Sequence, residues 1–166
     1  MKIHIIGCSG SGKTYFANAL SEKYGIPHYD LDDICWDKCA GKYGIKAPEE
    51  KRNAELAEIV KKDDWITEGI YYAWVGECFE NADVIYLLDI PPHIYKYRII
   101  RRFVRRKLGV EKSKKETLKS LFDLLKWTDK FQKNNLIEIK KILSGYADKT
   151  VVIRNSEEIK QILLKP

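Results

Sequence analysis

The stretch KIHIIGCSGSGKT, residues 2–14, decides how the rest of this sequence is read. Its first six residues are a short β-branched run ending in Gly7, the pattern of a buried strand. From Lys13 onward Phe16, Ala17, Leu20 and Tyr24 recur on one face, which predicts a helix stopped by Gly25. Between strand and helix, Gly7-Cys8-Ser9-Gly10-Ser11-Gly12-Lys13-Thr14 satisfies G-x-x-x-x-G-K-[ST] in the context that motif requires. Its glycines let backbone N–H groups turn toward one anion, and the helix N-terminus adds its dipole. Ser9, Gly10, Ser11 and Gly12 are therefore expected to line a phosphate, with Lys13 reaching the β- and γ-phosphates and the Thr14 hydroxyl binding Mg²⁺. A chance match in a chain this long falls below about 1%. The expected cofactors are ATP and Mg²⁺.

Strand and helix signals alternate outward from this motif, which predicts an α/β fold with a parallel sheet covered by helices. Residues 27–31 (PHYDL), 64–69 (DWITEG), 83–89 (DVIYLLD) and 148–154 (DKTVVIR) read as strands two to five. Pro48 opens a helix with Glu49 and Glu50 in its first turn and Ala54, Ala57 and Val60 along one side. Helical patterns cover 92–108 and 116–143, the second broken near Asn134 and Asn135; Asn155 or Ser156 caps a last helix. The polar piece 109–115 joins the two long patterns. A single domain, 1–166, with a short basic lid over about 98–118, is expected.

Net charge narrows the partners. Of the formal +6, residues 96–119 hold eleven basic and two acidic side chains, a local +9, which leaves −3 on the other 142 residues. Charge confined to one segment suits a phosphate clamp better than a DNA-coating surface, so DNA is an open but less favoured partner. The four cysteines show no paired spacing for zinc or redox work. With neither a signal-like start nor an apolar run of membrane length, a cytoplasmic protein without a membrane partner is expected.

Asp30, Asp32 and Asp33 stand at the carboxyl end of the second strand, where open α/β sheets collect ligands; a solvated turn capping a helix, with Asp33 as its first candidate, is the plainer alternative. Arg98, Arg101, Arg102 and Arg105 fall at i, i+3, i+4 and i+7 and share one helix face. Tyr97, Ile100 and Val104 lie opposite and should pack on the sheet. Four stacked cations call for an anion nearby, and guanidinium forks match phosphate oxygens. Trp65 reads as core, whereas Trp36, Tyr71 and Tyr72 are candidates to stack a base or sugar. Cys8, inside the loop, reads as a plain small residue, and His4 as a core histidine.

Over nearly the whole chain the sequence resembles adenylate-kinase-related P-loop proteins, and more narrowly the DNA topology modulation (FlaR-related) group. The pieces that carry this are IIGCSGSGKT (5–14), YDLDDICW (29–36), DWITEG (64–69), LLDIPP (87–92), RIIRRFVRR (98–106) and VVIRNSEEI (151–159). The resemblance implies a three-layer fold with a five-stranded sheet in the order 2-3-1-4-5, ATP binding and phosphotransfer. Asp30-Leu31-Asp32 matches a D-x-D of small metabolite kinases, which makes Asp32 the candidate to bind or deprotonate an acceptor and Asp30 a candidate metal ligand. Glu68 stands where relatives carry aspartate at the metal, so its metal role rests on a residue one methylene longer; an ion pair with an arginine is the alternative. Arg98, Arg102 and Arg105 become lid arginines, Arg102 contacting ATP, and Arg154 lies by the adenine. Nothing in 109–115 is Cys or His, so no zinc-bound lid is expected. The implied activity is a kinase transferring the γ-phosphoryl group of Mg-ATP to a small hydroxyl or phosphate acceptor. The alternative is a nucleotide-switched regulator of DNA topology.

Overall fold

The computed structural model describes residues 1–37, 44–110 and 117–164. At the centre of the sheet is β1 (Lys2–Gly7), flanked by β3 (Trp65–Gly69) and β4 (Val84–Leu88); β2 (His28–Asp30) and β5 (Thr150–Ile153) form the edges. All pairings are parallel and the order is 2-3-1-4-5, as expected. Helices cover both faces, so the central strands are apolar almost without alternation: Ile3, Ile5, Ile6, Ile66, Ile85 and Leu87 are all buried.

Register carries the site. Ile5 and Glu68 are partners across β1 and β3, and Glu68 and Asp30 across β3 and β2, so both carboxylates stand level at one sheet edge. From β1 the chain runs out to β2 at one edge, returns to β3 beside β1, and then crosses to β4 on the other side of β1. The crevice at its carboxyl end is thus the switch point where such sheets bind ligands.

The helices are α1 (Lys13–Tyr24), α2 (Asp32–Cys35), α3 (Glu49–Val60), α4 (Gly76–Asn81), α5 (Pro92–Lys107), α6 (Leu118–Lys130), α7 (Leu136–Leu143) and α8 (Ser156–Leu164). Gly25 ends α1 in the left-handed conformation at φ 68°. The break expected near Asn134 is a π-helical stretch, Phe131–Asn135, that joins α6 to α7 without interrupting them. Asn155 caps α8: its Oδ1 accepts from the N–H groups of Glu157 and Glu158, each at 3.0 Å. The short helices α2 and α4 carry too little periodicity to be read from sequence.

Two helix faces differ from expectation. On α3 the buried side is Leu56, Ile59 and Val60, while Ala54 is exposed. On α5 the buried stripe is Tyr95, Ile99 and Phe103, and Tyr97, Ile100 and Val104 are exposed. Three buried positions at four-residue spacing make a stripe as good as the expected one, and contact with the phosphate loop selects it. Arg98, Arg102 and Arg105 border that stripe instead of facing away from it.

Candidate active site

The loop between β1 and α1 needs its glycines. Gly10 and Gly12 take φ of 77° and 106°, values that side chains with a Cβ rarely adopt. A Cβ on Gly10 would stand 2.8 Å from the Tyr95 carbonyl oxygen and 2.9 Å from Ile99 Cγ1. Gly10→Ala is expected to lower the thermal midpoint and to weaken ADP binding more than about tenfold, since strain at such a site is about 1–3 kcal/mol before any clash. Calorimetric titration of wild type and variant checks this.

Past the loop, Lys13 is 8% exposed and its Nζ donates to the Cys8 carbonyl at 3.1 Å. The same ammonium lies 4.0 Å from Glu68 Oε2, and Thr14 Oγ1 donates to Glu68 Oε1 at 2.5 Å. Glu68 itself is 2% exposed. Among the described residues its side-chain partners are Lys13 and Thr14 of the glycine-rich motif, with His28 close by, and not an arginine. The extra methylene carries a carboxylate from β3 to the start of α1.

Asp30 stands beside Glu68, and burial together with that neighbouring charge raises its pKa to about 6. Asp30 Oδ1 accepts the Asp32 N–H at 2.9 Å, a turn that leads the chain from β2 into α2, whose N-cap residue is Leu31. Asp32 begins α2, and its Oδ1 accepts from the Tyr71 hydroxyl at 2.5 Å. Burial and that bond push the Tyr71 pKa up, so Tyr71 remains a donor. Its ring lies 5.1 Å from that of Trp74, over which the Arg52 guanidinium stacks at 4.6 Å. Arg52, Trp74, Tyr71 and Asp32 form one line from α3 across the loop after β3 to α2. Three separate elements supply it, so no local spacing announced it.

His28 approaches the same cluster from β2. Nδ1 bonds Asn18 Oδ1 at 2.9 Å, while Nε2 is buried without a hydrogen-bond partner 3.9 Å from Glu68 Oε1. Cys8 is buried and its thiol is pushed up to about 12, which leaves it unreactive despite its place in the loop. Trp65 and His4 are core, as read from sequence. Trp36 pairs with Lys46 in an isolated antiparallel bridge, and Tyr72 is half-buried.

The arginines separate. Arg98 donates to loop carbonyls, while Arg102 and Arg105 are half-buried one and two turns farther along α5, and Arg101 is exposed. Arg154 is exposed just after β5, its N–H donating to Glu158 Oε2 at 2.8 Å. Lys112, Lys114 and Lys115 of the polar piece 109–115, and Cys39, lie outside the described residues.

No known family profile matches the chain. An uncharacterized protein of Bacillus subtilis, YqaC, is 31% identical over 63% of this chain and 57% of its own length. Shikimate kinase of Enterococcus faecalis is 31% identical over 73% of this chain and 78% of that enzyme. The chain belongs to the P-loop kinase family. An adenylate kinase of Clostridium kluyveri, also 31% identical, matches 61% of the chain and 58% of its own length. The chain thus spans under two-thirds of two of these relatives. Crystal structures of P-loop kinases repeat the fold over 98% of the chain. Shikimate kinase of Bacteroides thetaiotaomicron has a TM-score of 0.54 at 14% identity and is covered over 94%. A gluconokinase of Sinorhizobium meliloti has 0.53 at 17% and is covered over 86%. Among the described residues no helix is long and apolar enough to cross a membrane.

Proposed function

We propose that this P-loop kinase family member transfers the γ-phosphoryl group of Mg-ATP to a small hydroxyl or phosphate acceptor. The observation that carries the reading is the meeting of Lys13, Thr14 and Glu68 at the carboxyl edge of the sheet, with Asp32 and Tyr71 beside them.

A magnesium ion fits this donor set. Among the described residues no three acidic or histidine side chains converge to cage a metal. Mg²⁺ commonly uses one or two protein oxygens and completes its shell with water and phosphate. Thr14 Oγ1 and Glu68 are hard oxygen donors already in contact, and Asp30 is next to them. When bound, the ion offsets charge on the phosphate oxygens during transfer. Lys13 and the loop amides hold the phosphates, and Arg102 and Arg105, on the basic segment 98–118 of a one-domain chain, close over them and exclude water. Arg154 lies on the adenine side. Asp32, oriented by Tyr71, holds the acceptor hydroxyl and takes its proton as the new O–P bond forms and ADP leaves.

Arg52 narrows the acceptor. Its side chain is 13% exposed, stacked on Trp74 and paired with Glu49 at 3.4 Å. A planar guanidinium held on the acceptor side suits a carboxylate or phosphate at the far end of the hydroxyl compound. Within the family, the ordered pieces at 29–36 and 151–159 support a place near the DNA topology modulation proteins.

ADP release from Mg-ATP, with pools of hydroxy acids, nucleoside monophosphates, and neutral nucleosides and polyols, tests the reading, with Lys13→Ala as control. Stimulation by either anionic pool, absent in the variant, is expected. No stimulation by any pool would sink it. Asp32→Asn is expected to lower turnover about 10²-fold with ADP affinity unchanged. An equal fall in affinity would move Asp32 from acceptor to nucleotide.

A further inference from the structure

We infer that Arg98 is a positioning residue that sets the shape of the phosphate loop from behind, a role distinct from the lid role its family resemblance implies. Arg98 Nη1 donates to the Ser11 carbonyl at 2.8 Å and approaches the Gly10 carbonyl at 3.4 Å, and Nη2 donates to Ser156 Oγ at 2.7 Å. One guanidinium thus ties three pieces of chain: the loop, α5 and the first residue of α8. The loop has little room to leave this position. A Cβ on Gly10 would meet Tyr95 and Ile99 of α5, and a Cβ on Gly12 would lie 3.5 Å from Arg98 Nη1.

The effect on binding follows from the peptide unit. In a trans peptide the C=O and N–H point in opposite directions. Drawing the Ser11 carbonyl toward α5 therefore turns the Gly12 N–H away from it, toward the concave side of the loop. The preceding N–H, on Ser11, closes a turn onto the Cys8 carbonyl at 3.2 Å. Two successive peptides are held, one by a turn and one by a charged donor. Hydrogen bonds from an ionised group are the strong kind, and a guanidinium stays charged at every working pH. A loop shaped before the anion arrives binds it without an ordering cost. Lysine at 98 could reach one carbonyl but could not fork to Ser156 as well.

The inference rests on the nucleotide reading for its binding consequence but not for the loop contact, and the test separates the two. Amide hydrogen exchange over residues 10–14 is measured in ligand-free wild type, Arg98→Ala, Arg98→Lys and Ser156→Ala. Affinity for ADP and for inorganic triphosphate is measured in each, below its unfolding temperature. Arg98→Ala is expected to raise exchange and to weaken both ligands by about tenfold. Arg98→Lys should recover part of the loss, and Ser156→Ala should weaken both by about threefold while the Asn155 cap keeps α8 intact. A merely structural arginine would lower the thermal midpoint and leave both affinities of the folded protein unchanged, and that result overturns the inference. So does loss of ADP affinity with triphosphate unaffected, which would put Arg98 on the base. A fall in turnover with exchange and both affinities unchanged overturns it too, and restores Arg98 to the lid. If wild type binds neither polyphosphate, the nucleotide reading fails; exchange alone then decides, and unchanged exchange overturns the positioning role. Should Arg98→Ala not fold, Arg98→Lys and Ser156→Ala carry the same comparisons.

Discussion

Replacing Lys13 by alanine is expected to cut phosphotransfer from Mg-ATP by about 10³-fold in a protein that still folds. A preorganised cationic donor aimed at charge that grows in the transition state contributes roughly 10²–10³ in rate, and Lys13 also offsets ground-state phosphate charge. Folding should survive because the ammonium is held by a backbone carbonyl and by a long 4.0 Å contact to Glu68. The carboxylate left behind keeps its bond from Thr14, so the stability loss should be about 1–2 kcal/mol, short of that for breaking a tight buried pair. Initial rates at saturating Mg-ATP, with urea midpoints for both proteins, check the two parts. A variant within tenfold of wild-type rate would show that the loop is not where the γ-phosphoryl group sits.

Acid should unfold the protein through His4. Its ring is fully buried on the central strand, edge-on to Phe79 at 5.1 Å, with Nδ1 bonded to Thr67 Oγ1 at 2.8 Å and Nε2 without a partner. Burial lowers its pKa to about 3, from 6.5. The folded ring stays neutral, so below pH 6.5 the unfolded chain takes up a proton that the folded chain refuses. Stability is therefore full above pH 6.5 and falls as pH drops toward 3. Between pH 7 and pH 4 the loss amounts to about 3 kcal/mol from this group. Asp30 acts in the opposite sense: its raised pKa favours proton uptake by the folded chain as pH falls through about 6, a smaller effect at a partly solvated site. His4→Leu keeps Asp30 and removes the histidine. Its urea midpoint at pH 4 should therefore lie much nearer its pH 7 value than the wild-type midpoint does. Parallel acid losses in the two proteins would remove His4 from the account.

Much of this architecture is local information. The run 2–14 contains a strand, a loop and a helix start, and each is dictated by residues within a few positions: β-branched side chains, glycines at positive φ, an apolar 3.6-residue period. The strand-then-helix alternation extends that to the parallel sheet, and from it follow the positions of Asp30 and Glu68 at strand ends and of Lys13, Thr14 and Asp32 at the helix starts beyond them. Helix faces on α3 and α5 were less legible. Both helices carry more than one apolar stripe, and only the surface they lie on selects between them. For the same reason the arginines of α5, one row in the sequence, divide by what each turn of the helix touches: Arg98 reaches the loop, while Arg102 and Arg105 stand farther along. Glu68 in contact with Thr14, Tyr71 on Asp32, and Arg52 over Trp74 are pairings between residues 22 to 54 positions apart. Hydrogen bonds and ring stacking act over a few ångströms of space whatever the separation along the chain. Local order along the chain is enough for the strand–loop–helix grammar and for the residue types beside the strand ends; those side chains meet only once the sheet sets their strands in register.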